Sequence, residues 1–153
     1  MVKRLTNPFV GGPTPLGTLL TAAGRRISGE LDAALRTAGF TDVRAAHAPL
    51  FMAIEADGCS VTTLAERTRM TKQAVGELIR HLAERGYLQV APDPDDKRVR
   101  RVTLTRRGWQ VVEAGQRVVA DFDAWLAAEV GTDRVQQLRE TLTMIADTEP
   151  AER

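Results

Sequence analysis

The sequence predicts a mainly α-helical domain with one small β-hairpin. Apolar residues recur at helical spacing through most of the chain, residues 87–105 have the composition of two strands, and only seven of 153 residues are aromatic. So few aromatic residues argue against an all-β sandwich and against a stacking platform for single-stranded nucleic acid. With 43% apolar and 27% charged residues, the chain has the composition of one globular domain.

Six helices are predicted from apolar periodicity and capping residues. They are expected over residues 15–38, 45–56, a short stretch after Ser60, 72–85, 106–130 and 132–147. Thr14 followed by Pro15 is typical of an N-cap and a first-turn proline, and Ser60 and Thr132 are suitable caps for two later helices. Pro49 lacks a backbone donor, so we expect it in the first turn of the second helix.

The hairpin is predicted over Tyr87–Ala91 and Val99–Thr105, joined by the turn-forming residues 92–98. Two short helices followed by a hairpin make a winged helix-turn-helix. The longer flanking helices would leave apolar stripes in water, so we expect them to pack against a second copy of the chain. The predicted regions are a flexible arm over 1–13, a dimerisation helix over 14–39, a winged helix-turn-helix lobe over 40–108 and dimerisation helices over 109–153.

Charge is distributed unevenly along the chain, although the net charge is only +1. Residues 60–108 hold eleven basic and six acidic side chains, whereas residues 109–153 hold four basic and nine acidic ones. A nucleic-acid backbone meets the local charge of a protein surface, not its total. The central segment is therefore basic enough for double-stranded DNA to be the expected partner.

The second helix of a helix-turn-helix enters the major groove by its N-terminal end. Thr71 is the predicted cap of that helix, Gln73 suits a two-bond contact with adenine, and Arg80 suits guanine or phosphate. Gly76 lets DNA approach closely, while Glu77 would repel phosphate and needs a cytosine amine, a neighbouring arginine or a position off the DNA. The candidate contacts on the two helices are Ser60, Thr62, Thr71, Lys72, Gln73, Gly76 and Arg80.

The hairpin supplies a second group of candidate DNA contacts. Lys97, Arg98 and Arg100 follow an acidic turn, with Arg101 beside them. A narrow minor groove concentrates negative potential and attracts an inserted arginine. We expect Asp96 to hold Arg98 in an extended pose instead of touching DNA itself.

These motifs, taken in order, resemble the MarR family of bacterial transcriptional regulators over residues 15–147. Residues 93–98 read DPDDKR and residues 104–108 read LTRRG. Together they are similar to the family pattern D-P-x-D-[RK]-R…L-T-x-x-G. The resemblance implies a homodimeric, ligand-responsive repressor that binds palindromic operators, with 72–85 as recognition helix, Arg98 in the minor groove and Asp96 as its orienting partner.

The sequence departs from the family pattern in two places. Arg69 stands in the helix-turn-helix turn where the family often has glycine. Either this turn takes a positive φ, which Arg69 strains by roughly 1 kcal/mol, or it adopts another conformation. Val90 and Ala91 replace basic residues that often precede the wing, which predicts weaker phosphate binding.

The resemblance also implies a small aromatic or phenolic effector, bound where the flanking helices meet the DNA-binding lobe. Core packing is the competing interpretation of each candidate for this pocket, above all Phe51 and Val111. The candidate lining residues are Leu16, Leu20, His47, Phe51, Trp109 and Val111. The sequence predicts no cofactor beyond such an effector.

Other activities find little support in the residues. Cys59, the one cysteine, is interpreted as a small apolar filler, with an oxidant sensor as the alternative. His47 and His81 lack the spacing of a metal site, and no nucleophile, phosphate loop or carboxylate pair indicates an enzyme. No apolar run approaches the roughly 20 residues of a membrane span, and no signal peptide is visible, so we expect a soluble cytoplasmic protein.

Two alternative functions stay open at this point. A winged helix can serve as a protein-interaction module, and the acidic C-terminal segment suits that use. The arginine-rich hairpin favours DNA, because a protein-binding module has no need of it. An accessory domain of a larger enzyme is disfavoured, since 153 residues are expected to form a self-contained regulator.

Overall fold

A computed structural model describes residues 12–148, so residues 1–11 of the predicted arm lie outside the described residues. The described chain forms six α-helices and a three-stranded sheet, which confirms the predicted fold class. The helices are α1 Leu16–Thr37, α2 Ala48–Ala53, α3 Val61–Thr68, α4 Lys72–Glu84, α5 Arg106–Val130 and α6 Thr132–Asp147. The strands are β1 Cys59–Ser60, β2 Leu88–Pro92 and β3 Arg100–Leu104. None of the described helices is long and apolar enough to cross a membrane.

Side-chain caps fix the start of three helices, α3, α4 and α5. The hydroxyl of Ser60 accepts from the backbone N–H of Thr63 at 3.0 Å, and Thr71 and Thr105 make the same type of bond at the starts of α4 and α5. Each cap satisfies one of the amides that a helix start leaves unpaired. The predicted caps at Ser60 and Thr71 are confirmed.

Two predicted caps are wrong. Pro15 itself occupies the N-cap position of α1, with φ −56° and ψ 141°, so Thr14 lies one residue too early. Gly131 takes the cap position of α6 with φ 92°, and Thr132 is already the first helical residue. Glycine reaches this backbone conformation without steric cost, which explains the sharp break between α5 and α6.

The second helix is shorter than the predicted 45–56. A 3₁₀ turn over Ala45–His47 comes first, and the α-helix then runs over Ala48–Ala53 with Pro49 in its first turn, as expected. Ile54 is extended, with φ −82° and ψ 120°, and turns its side chain into the core. Burial of this side chain in an extended segment explains the early end of the helix.

The hairpin is one part of a three-stranded antiparallel sheet in the order β1-β3-β2. Val102 stands opposite Val90 on one side and opposite Cys59 on the other. Sequence analysis missed β1, because two residues are too few to show the alternation of a strand. This short strand attaches the base of the hairpin to the segment that precedes α3.

The core lies beneath α4 and the sheet. Leu82 on α4 and Val102 on β3 are fully buried, and Tyr87 between α4 and β2 is fully buried as well. The predicted inward stripe of α4 is confirmed by Val75, Ile79 and Leu82, with Leu78 packed at the edge of the core. This packing fixes which side of α4 faces outward.

Helix α5 runs antiparallel to α1 along most of its length. Leu31 of α1 approaches Gly115, and the guanidinium of Arg26 lies 4.3 Å from the ring centroid of Trp125. A groove of about 840 Å³ separates α1, α5 and α6, and its apolar lining includes Leu20 and Leu138. The flanking helices therefore form an extension of the lobe with an open apolar face.

Candidate nucleic-acid interface

The turn between α3 and α4 takes a left-handed conformation at Arg69, with φ 53° and ψ 32°. Its backbone N–H closes α3 on the carbonyls of Ala65 and Glu66. Its guanidinium donates to the carbonyl of Ala146 and to Asp147 Oδ1, the latter at 3.3 Å. Arg69 therefore has the positive φ that strains a residue other than glycine. Its side chain adds a contact to the end of α6.

We expect Arg69→Gly to be more stable than Arg69→Ala by about 1 kcal/mol, because both variants lose the guanidinium but only glycine relieves the positive φ. The exposed pair with Asp147 contributes at most about 1 kcal/mol. Urea unfolding of both variants measures the difference. Equal stability would show that this turn rearranges when arginine is absent.

The predicted contacts on α3 and α4 lie at or near the surface. Lys72, Gln73 and Arg80 are exposed, and Gln73 Nε2 donates to Glu77 Oε1 at 3.4 Å. Glu77 is therefore held along its own helix, and among the described residues it forms no ion pair with an arginine. A Cβ added to Gly76 would meet open space, so the fold does not require glycine there. A ligand that approaches the helix closely would require it.

The hairpin loop, residues 93–99, is organised around two aspartates. Asp93 Oδ1 accepts from the backbone N–H groups of Asp95 and Asp96, at 2.9 and 3.3 Å, and its Oδ2 accepts from Arg101 Nε at 2.7 Å. The hydrogen bond from Arg101 holds the pKa of Asp93 below its usual value. Arg101 also donates to the carbonyl of Asp57 at 3.1 Å, so it ties the hairpin loop to the segment before β1 and is not part of the exposed tip.

Asp96 orients Arg98, as expected. The carboxylate accepts from the backbone N–H, Nε and Nη2 of Arg98 at 3.0, 3.1 and 3.2 Å. These bonds lower the pKa of Asp96, and the carboxylate stays charged at neutral pH. The side chain of Arg98 is nevertheless 91% exposed. The wing thus presents a fixed cation to the outside, with Lys97 and Arg100 exposed next to it.

An apolar cavity of about 340 Å³ lies between α1, α2 and α5. Of the six predicted pocket residues, Phe51 and Val111 line it. Arg44 and Gln116 are the only polar side chains among its lining residues, and Met52 and Val119 stand exposed at its rim. The complete lining is Leu31, Leu35, Val43, Arg44, Ala48, Phe51, Met52, Val111, Val112, Gly115, Gln116 and Val119.

The other four predicted pocket residues lie elsewhere. Leu16 is exposed at the start of α1, far along the helix from the cavity, and Leu20 lines the groove towards α6. Trp109 is 39% exposed on the outer side of α5, two positions from Val111. His47 faces His81, with ring centroids 5.5 Å apart. The sequence indicated the right helices but could not indicate which of their sides meet.

His47 lies between the segment before α2 and helix α4. Its Nδ1 accepts from the backbone N–H of Arg44 at 3.2 Å, and His81 belongs to α4. Burial, and next the positive charge of His81, lower the pKa of His47, against the opposing effect of Asp32. Two further cations near it, Arg44 and Arg85, act in the same direction as His81.

The unfolding free energy is expected to fall as the pH drops below 6.5, the ordinary pKa of histidine. The folded state favours neutral His47, so the unfolded state binds the proton more readily. Acidification therefore stabilises the unfolded state relative to the folded state. We expect His47→Gln to flatten this dependence just below pH 6.5, measured by urea unfolding. An unchanged slope would assign the acid sensitivity to other groups.

Cys59 is buried, and its thiol lies 3.8 Å from the carbonyl of Ala53. Burial raises the pKa of the thiol, which disfavours the reactive thiolate. This environment favours the apolar filler over the oxidant sensor. Over residues 12–148, no group of three or more histidine, cysteine, aspartate or glutamate side chains is placed to hold a metal ion.

A sequence model of the MarR family matches residues 39–99, the segment that contains the helix-turn-helix and most of the wing. The exopolysaccharide II synthesis transcriptional activator ExpG of Rhizobium meliloti is 31% identical over 105 residues. That alignment covers 69% of this chain and 54% of ExpG, so the chain matches about half the length of this relative.

Solved structures share the fold. CouR of Rhodococcus jostii RHA1, bound to p-coumaroyl-CoA, superposes with a TM-score of 0.72 at 23% identity, covering 91% of this chain and 96% of CouR. FabT of Streptococcus pneumoniae, in complex with DNA, superposes with a TM-score of 0.74 at 16% identity, covering 86% and 92%. The matched segment, the ordered motifs and the fold lead to one conclusion. The winged helix-turn-helix segment of this chain, residues 39–99, belongs to the MarR family.

Proposed function

We propose that this protein is a sequence-specific regulator of transcription that binds a palindromic operator as a homodimer. The observation that carries the proposal is the geometry of the wing tip, where Asp96 holds an exposed Arg98. An exposed arginine held at the end of a hairpin suits insertion into a narrow minor groove. FabT in complex with DNA has this fold, which supports the same use here.

The recognition helix supports the proposal through a different contact. Thr71 caps α4, and Lys72 and Gln73 follow at the positive end of the helix dipole. No acidic residue occupies the first turn, so the positive potential there is not neutralised. We propose that Lys72 binds phosphate, that Gln73 and Arg80 contact base edges in the major groove, and that Ser60 and Thr62 contact the backbone from α3.

The homodimer is supported by the apolar residues that one protomer leaves exposed on α1, α5 and α6. Leu19 is 52% exposed, Trp125 39% and Leu138 46%, and all three line the groove between these helices. A contiguous apolar face of this kind is characteristic of an association surface. Two chains joined here would present two recognition helices to successive major grooves, about one DNA turn apart.

Selection of bound fragments from the host's genomic DNA tests the proposal, followed by a salt titration on the best site. We expect a twofold symmetric site, bound by two chains, with an affinity roughly 10³-fold or more above that for random DNA. The affinity should fall steeply with salt as phosphate contacts release counterions. Weak binding without sequence preference would favour a protein-interaction module instead.

We further propose a small aromatic effector for the apolar cavity and repression as the basal activity. The cavity of about 340 Å³ is within the range of small-ligand sites, and Arg44 at its edge suits an acidic group. CouR bound to p-coumaroyl-CoA is a protein of the same fold with an aromatic ligand. A ligand here would favour a lobe arrangement that no longer fits successive grooves.

Val119→Trp tests the effector site, because a larger side chain at the exposed rim closes the cavity without entering the core. We expect phenols and aromatic carboxylic acids to release wild-type protein from its operator and a promoter reporter from repression. The variant should bind the same operator equally well but lose the response by about tenfold, or about 1.4 kcal/mol of ligand affinity. An undiminished response would place the effector elsewhere.

A further inference from the structure

A second cleft lies on the opposite side of the α1–α5 contact from the apolar cavity. It has a volume of about 650 Å³ and is formed by the end of α1, Phe40 and the first half of α5. Its lining includes three arginines, Arg106, Arg107 and Arg117, but only one acidic residue, Glu113. We call this the arginine cleft. Its lining holds five polar or charged side chains, whereas the lining of the apolar cavity holds two.

The arginines of this cleft are not used in ion pairs. Within the described part of the chain, neither Arg106 nor Arg117 has a carboxylate oxygen within 4.0 Å. Arg117 Nε instead donates to the backbone carbonyl of Glu113 at 3.3 Å, and its distal nitrogens are left for another acceptor. The lining holds three guanidinium groups and one carboxylate, that of Glu113, so the cleft has a net positive charge.

Arg107 is held in place by the core. Its Nη2 donates to the hydroxyl of Tyr87 at 3.0 Å, and the guanidinium lies 4.7 Å from the centroid of the same ring. The hydroxyl of Tyr87 in turn donates to Asp42. An arginine ordered by stacking and hydrogen bonding loses less entropy when it binds an anion.

The first turn of α5 adds to the positive potential of the cleft. No acidic residue lies in that turn, and its backbone N–H groups are at the positive end of a 25-residue helix. Helix N-termini and arginine forks both favour phosphate oxygens. The L-T-x-x-G pattern specifies no residue at positions 106 and 107, so the pattern does not account for these two arginines.

The cleft lies away from the parts of the lobe proposed to read DNA. Helix α4 rises about 1.5 Å per residue, so its C-terminal end, which contacts the start of α5 through Thr105 and Gly86, is about 20 Å from Thr71. The five paired residues of β3 likewise separate Thr105 from the wing tip by about 17 Å. A DNA backbone engaged by both readers would not be expected to reach the arginine cleft.

We propose that the arginine cleft binds a phosphorylated small molecule, through Arg106, Arg107 and Arg117, at a site separate from the apolar cavity. A volume of about 650 Å³ accommodates a di- or triphosphate with an attached group, and Gln110 offers an amide to that group. This goes beyond the proposed function and does not depend on it, since the binding is measured without DNA.

Calorimetric titration with inorganic triphosphate, at ionic strength matched with sodium chloride, tests the proposal. The double variant Arg106→Gln/Arg117→Gln is compared with Arg25→Gln/Arg134→Gln, which removes the same charge from exposed positions outside the cleft. We expect saturable binding to wild type and to the control, and at least tenfold weaker binding to the cleft variant. Equal binding to all three proteins, or none, would overturn the proposal.

A second arm separates a small phosphorylated ligand from the phosphates of DNA. Affinity for a duplex oligonucleotide, and its slope with salt, should be the same for the cleft variant and the control variant. If the cleft variant alone loses DNA affinity and its salt slope falls by about two, the arginines contact the DNA backbone and the proposal is wrong. Thermal unfolding without ligand shows that each variant is folded.

Discussion

Arg98→Ala is expected to weaken operator binding by about 1–3 kcal/mol, or roughly 5- to 150-fold in Kd. The side chain is 91% exposed and packs on no core residue, so its loss should leave folding unchanged. Two of its three bonds to Asp96 come from the guanidinium itself, which fixes its direction before DNA arrives. Fluorescence anisotropy with a labelled operator measures the change in affinity.

Asp96→Asn and Arg134→Ala are the informative comparisons for this prediction. The first keeps Arg98 but replaces a carboxylate that accepts three hydrogen bonds, so it should cost part of the affinity, although it removes a negative charge near DNA. The second removes an exposed arginine of α6 and should change little. A gain in affinity for Asp96→Asn would show that charge, and not orientation, controls the wing.

Arg98→Lys should not restore full affinity. Lysine keeps the charge but lacks the planar guanidinium, whose Nε and Nη2 both donate to the Asp96 carboxylate. If lysine binds as well as arginine, the wing contributes only electrostatic attraction. Loss of sequence preference, in addition to loss of affinity, would indicate that Arg98 reads the width of the minor groove.

The helices of this fold were predictable because their signals are local. The buried stripe of α4 and the caps at Ser60 and Thr71 all act within one turn of a helix. The strand β1 was not predictable, since its two residues are defined only by their pairing with Arg101 and Val102 about forty positions away. Long-range pairing leaves no pattern in so short a segment.

In the candidate site, too, local contacts were predictable and long-range contacts were not. The orientation of Arg98 by Asp96 was predictable because the partners are only two positions apart in a turn. The role of Arg101 was not predictable, because the strand register and the loop before β1 bring its partners Asp93 and Asp57 close to it. The contact between Arg69 and the end of α6 likewise depends on how two distant helices pack.

Gly108→Ala is expected to destabilise the fold by about 1–3 kcal/mol or more, although alanine is the better helix former. A Cβ at this position would lie 2.3 Å from the carbonyl oxygen of Tyr87 and 3.0 Å from a methyl group of Leu104. The carbonyl also accepts from the backbone N–H of Thr105, so it cannot move without loosening the α5 cap. This contact gives a physical reason for glycine in the L-T-x-x-G motif.

Gly115→Ala, seven residues along the same helix, is the matched control. Its added Cβ would meet only a methyl group of Leu31 at 3.8 Å, an ordinary contact, so the variant should gain up to about 1 kcal/mol from helix propensity. The two substitutions should therefore shift the thermal midpoint in opposite directions at one fixed protein concentration. If Gly108→Ala is neutral, α5 starts farther from Tyr87 than described, and the wing is not anchored through this contact. If it unfolds at lower temperature but binds the operator normally when folded, the glycine serves packing and not DNA recognition.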